Sequence, residues 1–505
     1  MNRSVIILLL SYIIGVSPLT ATSWFVASDG LDINSGTISA PFKTITKAVS
    51  VMAAGDTVFI RGGTYPLNTT VSISKKGNAS VHYYLLAYPG ERPLLDFSGM
   101  AFSSSNRAFN FSGWYWTVRG LDIKGAGDNG MNLSGSYNTI ENCAFFENRD
   151  TGLQLSNGAS NNSIINCDSY YNADPGNGNA DGFAPKLDVG TNNYFFGCRA
   201  WQNSDDGWDG YMRGANDVTT TYEQCWVFKN GYLKNGSASA GNGNGFKMGG
   251  GDTSNISNWA HNVVMKNCLA FENRVKGFDQ NNNAGSMLLL NCTGYANGTN
   301  YSVIRDLKPG KTFVIKNCVS LGPYGSFGNF AQQEKNSWIA PFDATSDDFV
   351  SIDPAVAYGP RKSDGSLPDI SFLHLKQGSD LIDAGVNVGI PFSGAAPDLG
   401  AFEYSGSTDI QNDRGPLPQE FSLEQNFPNP FNPATTIRYH VPQRTFLTVT
   451  VYDMLGRETA LLVNGVQEAG SHTVQFNATG YSSGMYFYQL RSSTGTIVKS
   501  MILVK

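Results

Sequence analysis

Across residues 138–325 apolar and polar positions alternate in short runs, and no stretch holds the 3.6-residue period of a helix. Such runs predict short strands, and a longer repeat organises them. Cys143, Cys167, Cys198, Cys225, Cys268, Cys292 and Cys318 each head the same phrase. Three residues on stand Phe146, Tyr170, Trp201, Phe228, Phe271, Tyr295 and Leu321; five on stand Asn148, Asn172, Asn203, Asn230, Asn273 and Asn297, and only Pro323 breaks the asparagine rule. The cysteines are 24, 31, 27, 43, 24 and 26 residues apart, a basal unit near 25 with insertions in the middle. Self-similarity at this period predicts an all-β solenoid, a parallel β-helix whose equivalent residues stack about 4.8 Å apart. The cysteines are then expected as small buried side chains rather than disulfides, the aromatics as an inner column, and the asparagines as a hydrogen-bonded ladder.

The flanking patterns divide the rest. Residues 57–140 continue as strands and Gly/Asn/Ser turns. Before them Phe42, Ile45, Val49 and Met52 fall at helical spacing within Pro41–Ala53, which predicts one short helix capping the first coil. Residues 326–404 are less periodic and are expected to close the far end. Residues 405–418 read as a linker, and 419–505 as a small β-sandwich with strands at Thr436–Val441, Leu447–Tyr452, His472–Phe476 and Gly484–Leu490. At the other end, Arg3, the apolar run Val5–Val16 and the small residues near Ala21 read as a secretory signal over 1–23, leaving 24–404 as the β-helix. No later run is long and apolar enough for a membrane span.

Composition narrows the function. Of 505 residues 56 are Gly and 15% are charged, which suits a turn-rich all-β chain. A net charge of -6 gives no footprint for nucleic acid, so an anionic ligand needs local cations or a bound metal.

Candidate chemistry lies between Gly178 and Gly249. After its asparagine each coil tends to reach Gly followed by a large apolar residue: Gly182-Phe183, Gly207-Trp208, Gly245-Phe246 and Gly277-Phe278. Taken as a phase marker, this Gly puts Asp181 and Asp206 at one position on adjacent coils, with Asp205 and Asp209 beside them. Four carboxylates so close need a cation, and the spacing suits oxygen ligands of Ca2+. Two positions after the marker stand Ala184, Asp209, Lys247 and Asp279, which places Lys247 over Asp209. A base beside a metal suits β-elimination at a uronic acid, where the lysine takes the C5 proton and the bond to the C4 oxygen breaks. A neutral lysine among acids implies an alkaline optimum. Lys186, Arg213, Arg274 and Lys276 are candidates to bind further substrate carboxylates, and the insertions at 173–180 and 231–241 to wall a groove.

Two resemblances follow. Gly178-Asn-Ala-Asp-Gly-Phe183, Ser204-Asp-Asp-Gly-Trp-Asp209 and Asn244-Gly-Phe-Lys-Met-Gly249 resemble the motifs of the pectate lyases of polysaccharide lyase family 9. The resemblance implies a right-handed parallel β-helix, calcium on Asp181, Asp205, Asp206 and Asp209, Lys247 as proton acceptor, and polygalacturonate or low-methylated pectin as substrate. Leu423-Glu-Gln-Asn-Phe-Pro-Asn-Pro-Phe-Asn-Pro433, Val451-Tyr-Asp-Met-Leu-Gly-Arg457 and Lys499–Lys505 resemble the sorting domain of the type IX secretion system. That implies export from a Gram-negative bacterium through this machinery, as a secreted or cell-surface protein; a monomer is expected. The competing readings are a β-helical polygalacturonase, a lyase on another uronate polymer, and an adhesin stiffened by calcium. None of the five histidines has the Gly-His-Gly flanks of the hydrolase.

Overall fold

The computed structural model describes residues 21–251, 259–404 and 420–504, apart from 443–444, 455, 468–469 and 493–494. The signal sequence, save its last residues, and the linker lie outside the described residues. The chain divides into two compact units, Met1–Ser405 and Gly406–Lys505.

In the first unit the repeat becomes a parallel β-helix. Three parallel sheets of twelve, ten and ten strands run its length, and every strand pairs with the equivalent strand of the next coil. Strand parity decides what fills the bore. In Ala144–Phe146 and its successors the core position is Phe145, Ser169, Ala200, Val227, Ala270, Gly294 and Ser320 in register. All seven cysteines are buried and free. Five positions past each cysteine the asparagines form the expected ladder: the Nδ2 of Asn148, Asn172, Asn203, Asn230 and Asn273 donates to the Oδ1 of the next asparagine at 2.8–3.0 Å. Asn300 replaces the missing rung at Pro323, accepting from Asn297 at 2.9 Å. A shorter ladder, Asn138–Asn162–Asn193, runs along another corner.

The aromatic column differs from expectation. Phe146, Tyr170, Trp201, Phe228 and Phe271 do stack, at 4.3–5.4 Å, but on the outer face. Three residues from an inward cysteine is the opposite face of an extended strand. The inner aromatic column comes instead from the residue after the marker glycine, Phe183, Trp208, Phe246 and Phe278, and is continued by Tyr301 after Asn300; the five stack at 4.8–5.3 Å, all buried.

Residues 339–404 also depart from their expected place. Rather than only closing the far end, they run back over the outer aromatic face, where Phe349, Ala357, Phe372 and Leu375 pack with Trp226, Phe228, Leu269 and Phe271. Burying that apolar stripe is the physical reason. Arg361 anchors the strap through Asp168 at 2.7 Å, and Asp168 also holds Arg199 at 2.9 Å. The last coil is covered by Trp338, which stacks on Phe327 and lies 5.1 Å from Tyr301. The first coil carries a helix at Ile45–Val51, shorter than Pro41–Ala53 because Thr44 caps it by accepting from Lys47 N.

The second unit has two antiparallel sheets, of three and four strands, around Ile437, Tyr439, Val449, Tyr488 and Met501. Its strands include Ala434–Val441, Thr445–Tyr452, Gly470–Asn477 and Gly484–Ser492, together with Glu458–Gln467 and Gly495–Leu503, which the alternation had not singled out.

Candidate active site

The marker glycines lie in phase, and their backbone bonds fix the site. Gly182 N–H donates to Asp206 O at 3.0 Å and Gly207 N–H to Asn244 O at 2.9 Å, so Asp181, Asp206 and Asn244 form one row across three coils. A second row, on the outward face of the sheet, pairs Asp209 with Lys247 and Lys247 with Asp279. A Cβ on Gly182, Gly207 or Gly245 would stand 2.6–2.8 Å from the carbonyl of the next coil, so only glycine allows this approach. The inner aromatic column lies directly beneath and holds both rows in register.

Carboxylate oxygens of Asp181, Asp205 and Asp206 lie within 4.8 Å of one another, all buried. Asp206 Oδ2 accepts no well-directed hydrogen bond among the described residues, although Lys247 Nζ lies 3.1 Å away, and Asn244 Oδ1 is likewise buried without a donor. Buried oxygens at this spacing fit a hard cation with Ca–O distances of about 2.3–2.6 Å. Asn244, whose N–H donates to Asp206 Oδ1 at 2.9 Å, was not among the sequence candidates, though it holds the same phase as Asp181 and Asp206.

Asp209 lies outside the three-carboxylate group and carries both lysines. Lys247 Nζ is 3.4 Å from its Oδ1 and Lys186 Nζ 3.4 Å from its Oδ2. Lys186 also donates to Asp181 Oδ2 at 2.7 Å. Lys186 is thus a buried part of the acid cluster rather than an open cation. Arg213 is exposed, with its guanidinium 5.4 Å from the Tyr211 ring that Lys247 also approaches at 6.0 Å. Lys276 pairs with Asp279 at 2.8 Å. Arg274 donates to Gly241 O and braces the 231–241 insertion, which meets the 173–180 insertion through Ala240 N–H to Asn177 O at 2.8 Å.

Burial and mutual repulsion push Asp181 up to about 7 and Asp205 up to about 8, with Asp206 raised for the same reasons. Asp209 moves the other way: burial opposes its charge, but Lys247 and Lys186 outweigh it. For Lys247, burial favours the neutral amine, yet Asp209, Asp206, Asp181 and Asp205 together lift it well above the usual lysine range. The site therefore holds a protonated lysine against acids that gain most from a cation.

The class is that of parallel β-helix proteins with a buried acid-and-lysine cluster on one sheet. Residues 24–317 match the family model described as the Pel9A-like right-handed β-helix region, and residues 425–505 match the secretion system C-terminal sorting domain. The chain is 40% identical over 397 residues to pectate lyase L of Dickeya dadantii (strain 3937), covering 76% of this chain and 91% of that one. It is 39% identical to pectate lyase L of Paenibacillus polymyxa (strain SC2), covering 74% and 85%. The crystal structure of pectate lyase Pel9A superposes with a TM-score of 0.70 at 38% identity, covering 77% and 98%. The chain belongs to the Pel9A-like pectate lyases. Its sorting domain marks it for secretion or the cell surface, and no described helix is long and apolar enough to cross a membrane.

Proposed function

We propose that the protein cleaves polygalacturonate or low-methylated pectin by calcium-dependent β-elimination, with Lys247 as the proton-abstracting base. The observation that carries this reading is the register of Lys247 on Asp209, one coil beyond the three-carboxylate group. Asp181, Asp205 and Asp206 would hold Ca2+, with Asp209 as the fourth carboxylate. Bound there, the ion would neutralise the substrate carboxylate and make the adjacent C5 hydrogen more acidic.

The side chains of the chain itself do the rest. Asp206 and Asp209 orient the Lys247 amine in a pocket that leaves it 7% exposed. In its neutral form the amine takes the C5 proton. The C5–H electron pair becomes the C4–C5 double bond, the C4–O bond breaks, and the leaving oxygen takes a proton from solvent, giving a 4,5-unsaturated end. Arg213, exposed beside Tyr211, would bind the carboxylate of a neighbouring uronate, with Lys276 as a further cation at the site, whereas Lys186 and Arg274 would hold the acid cluster and the 231–241 insertion. The type IX machinery is the partner proposed for the C-terminal domain.

The test is ultraviolet absorbance of the unsaturated product from polygalacturonate, with and without chelator, for the parent and Lys247→Ala. The variant is expected to lose about 10²- to 10⁴-fold in kcat while remaining folded by circular dichroism, and chelation to abolish product. Chain shortening without that absorbance would point to a hydrolase; metal binding without cleavage would point to an adhesin.

A further inference from the structure

Regular pairing is shortest where the Asp209–Lys247 pair sits. The strands that carry it, Trp208–Asp209 and Phe246–Lys247, are two residues long, against three to five in the other strands of their sheet. Just past Lys247 the chain leaves the extended region, with Gly249 at φ 145° and Gly250 at φ 99°. What fixes the backbone here comes from inside the bore.

At this level the bore holds His261. It opens the strand His261–Lys266 of the neighbouring sheet, in which His261, Val263 and Met265 are buried and alternate with outward positions. Its ring is fully buried, with Nδ1 3.0 Å from Gly210 O and Nε2 2.7 Å from the equally buried Thr220 Oγ1. A carbonyl brings no proton, so Nδ1 carries the hydrogen and donates to Gly210 O. Burial holds the ring below the ordinary histidine range, against the pull of the Gly210 carbonyl and Asp209. A neutral ring has a single N–H, so Nε2 accepts from the Thr220 hydroxyl.

Gly210 joins this ring to both functional side chains. Its N–H donates to Lys247 O at 2.9 Å. It also follows Asp209, whose Oδ1 accepts from Tyr211 N–H at 3.0 Å and lies 3.4 Å from Lys247 Nζ. A shift of the Gly210 peptide would move the Lys247 backbone and the carboxylate that orients its amine together. There is no slack to absorb one: a Cβ on Gly210 would stand 2.9 Å from His261 Nδ1 and 3.1 Å from Lys247 O. Asn283 completes the brace. Its Oδ1 accepts from His261 N–H at 3.0 Å, and its Nδ2 donates to His261 O at 2.7 Å and to Met248 O at 3.0 Å.

We propose that His261 is a positioning residue for the elimination: through the Gly210 carbonyl it fixes the Asp209–Lys247 pair, and Thr220 sets its tautomer. This rests on the reading of Lys247 as the base. Substrate does not reach a ring shut inside the bore, so the effect belongs to kcat rather than KM.

The test compares the parent with His261→Leu, His261→Asn and Thr220→Val on polygalacturonate, by absorbance of the unsaturated product, at a temperature where circular dichroism shows each to be folded. His261→Leu is expected to lose about 10- to 100-fold in kcat, with KM within about threefold of the parent's. His261→Asn, whose amide can donate from near the Nδ1 position, is expected to regain most of that loss, and Thr220→Val to show a smaller one. Nuclear magnetic resonance of the parent carrying isotope-labelled histidine is expected to show a ring protonated at Nδ1 and bare at Nε2, a signal that His261→Leu removes and Thr220→Val shifts. Parental kcat in folded His261→Leu, a loss confined to KM, equal losses in His261→Leu and His261→Asn, or an Nε2-protonated ring would each overturn the role and leave the lyase reading intact. If His261→Leu does not fold, Thr220→Val and the tautomer signal decide. A parent that gives no unsaturated product would remove the lyase reading, and this role with it.

Discussion

At the residue scale the site is a contest between burial and neighbouring charge. The acids around Lys247 keep its amine protonated at neutral pH, so the fraction able to accept a proton grows as pH rises. kcat/KM is accordingly expected to increase on the alkaline side of neutrality, and a maximum below about pH 6 would remove Lys247 as the base. The acids make a separate prediction. Asp181, raised to about 7, and Asp205, raised to about 8, bind protons in the folded state that the unfolded chain, with carboxyls near 3.9, has already lost. Without metal, stability is therefore full at low pH and falls as pH rises through the folded values. Melting temperature in chelator is expected to drop between about pH 5 and pH 8, and calcium to close the gap. The placing of Asp181, Asp206, Asp209 and Lys247 was legible because a glycine recurs one residue from a large apolar side chain and sets a common phase. Lys186 was not, because nothing in its flanks says that it folds back onto Asp181. Asn244 shared the phase, but an amide carries no formal charge to draw notice.

Among elements, the asparagine ladder bears most on stability. Asn203 donates to Asn230 Oδ1 at 2.9 Å and to Ser169 O at 3.2 Å, and accepts from both groups of Asn172. Asn203→Ala leaves buried partners above and below unpaired and is expected to cost about 1–3 kcal/mol, read by denaturant unfolding; a neutral result would mean the rungs act independently of folding. The ladder was readable from spacing alone, since a turn amide five residues from each cysteine admits few other uses. The aromatic column was misassigned for an equally specific reason: hydrophobicity suggested the bore, whereas strand parity placed Phe146, Tyr170 and Trp201 outside. Their cover, residues 339–404, has no regular period because a strap conforming to an existing surface needs none.

For the whole molecule, that strap makes one ion cluster disproportionately important. Burial opposes the charge of Asp168, but Arg361 and Arg199 hold its carboxyl down at about 2. This stability is present above the unfolded value near 3.9 and is lost as pH falls toward 2. Asp168→Ala strands two guanidinium groups, and a loss of about 3 kcal/mol is expected, with limited proteolysis cutting within 339–404 before the coils. Cleavage elsewhere first would show that the strap holds without its anchor. Lastly, the seven stacked cysteine sulfurs owe their inertness entirely to native packing, each shut inside the bore. Once denatured in air, the same chain carries an odd set of thiols that can crosslink in wrong combinations, always with one left over to keep exchanging. Recovery after denaturation should thus need a reducing buffer, although the native enzyme needs neither an oxidant to mature nor a reductant to survive.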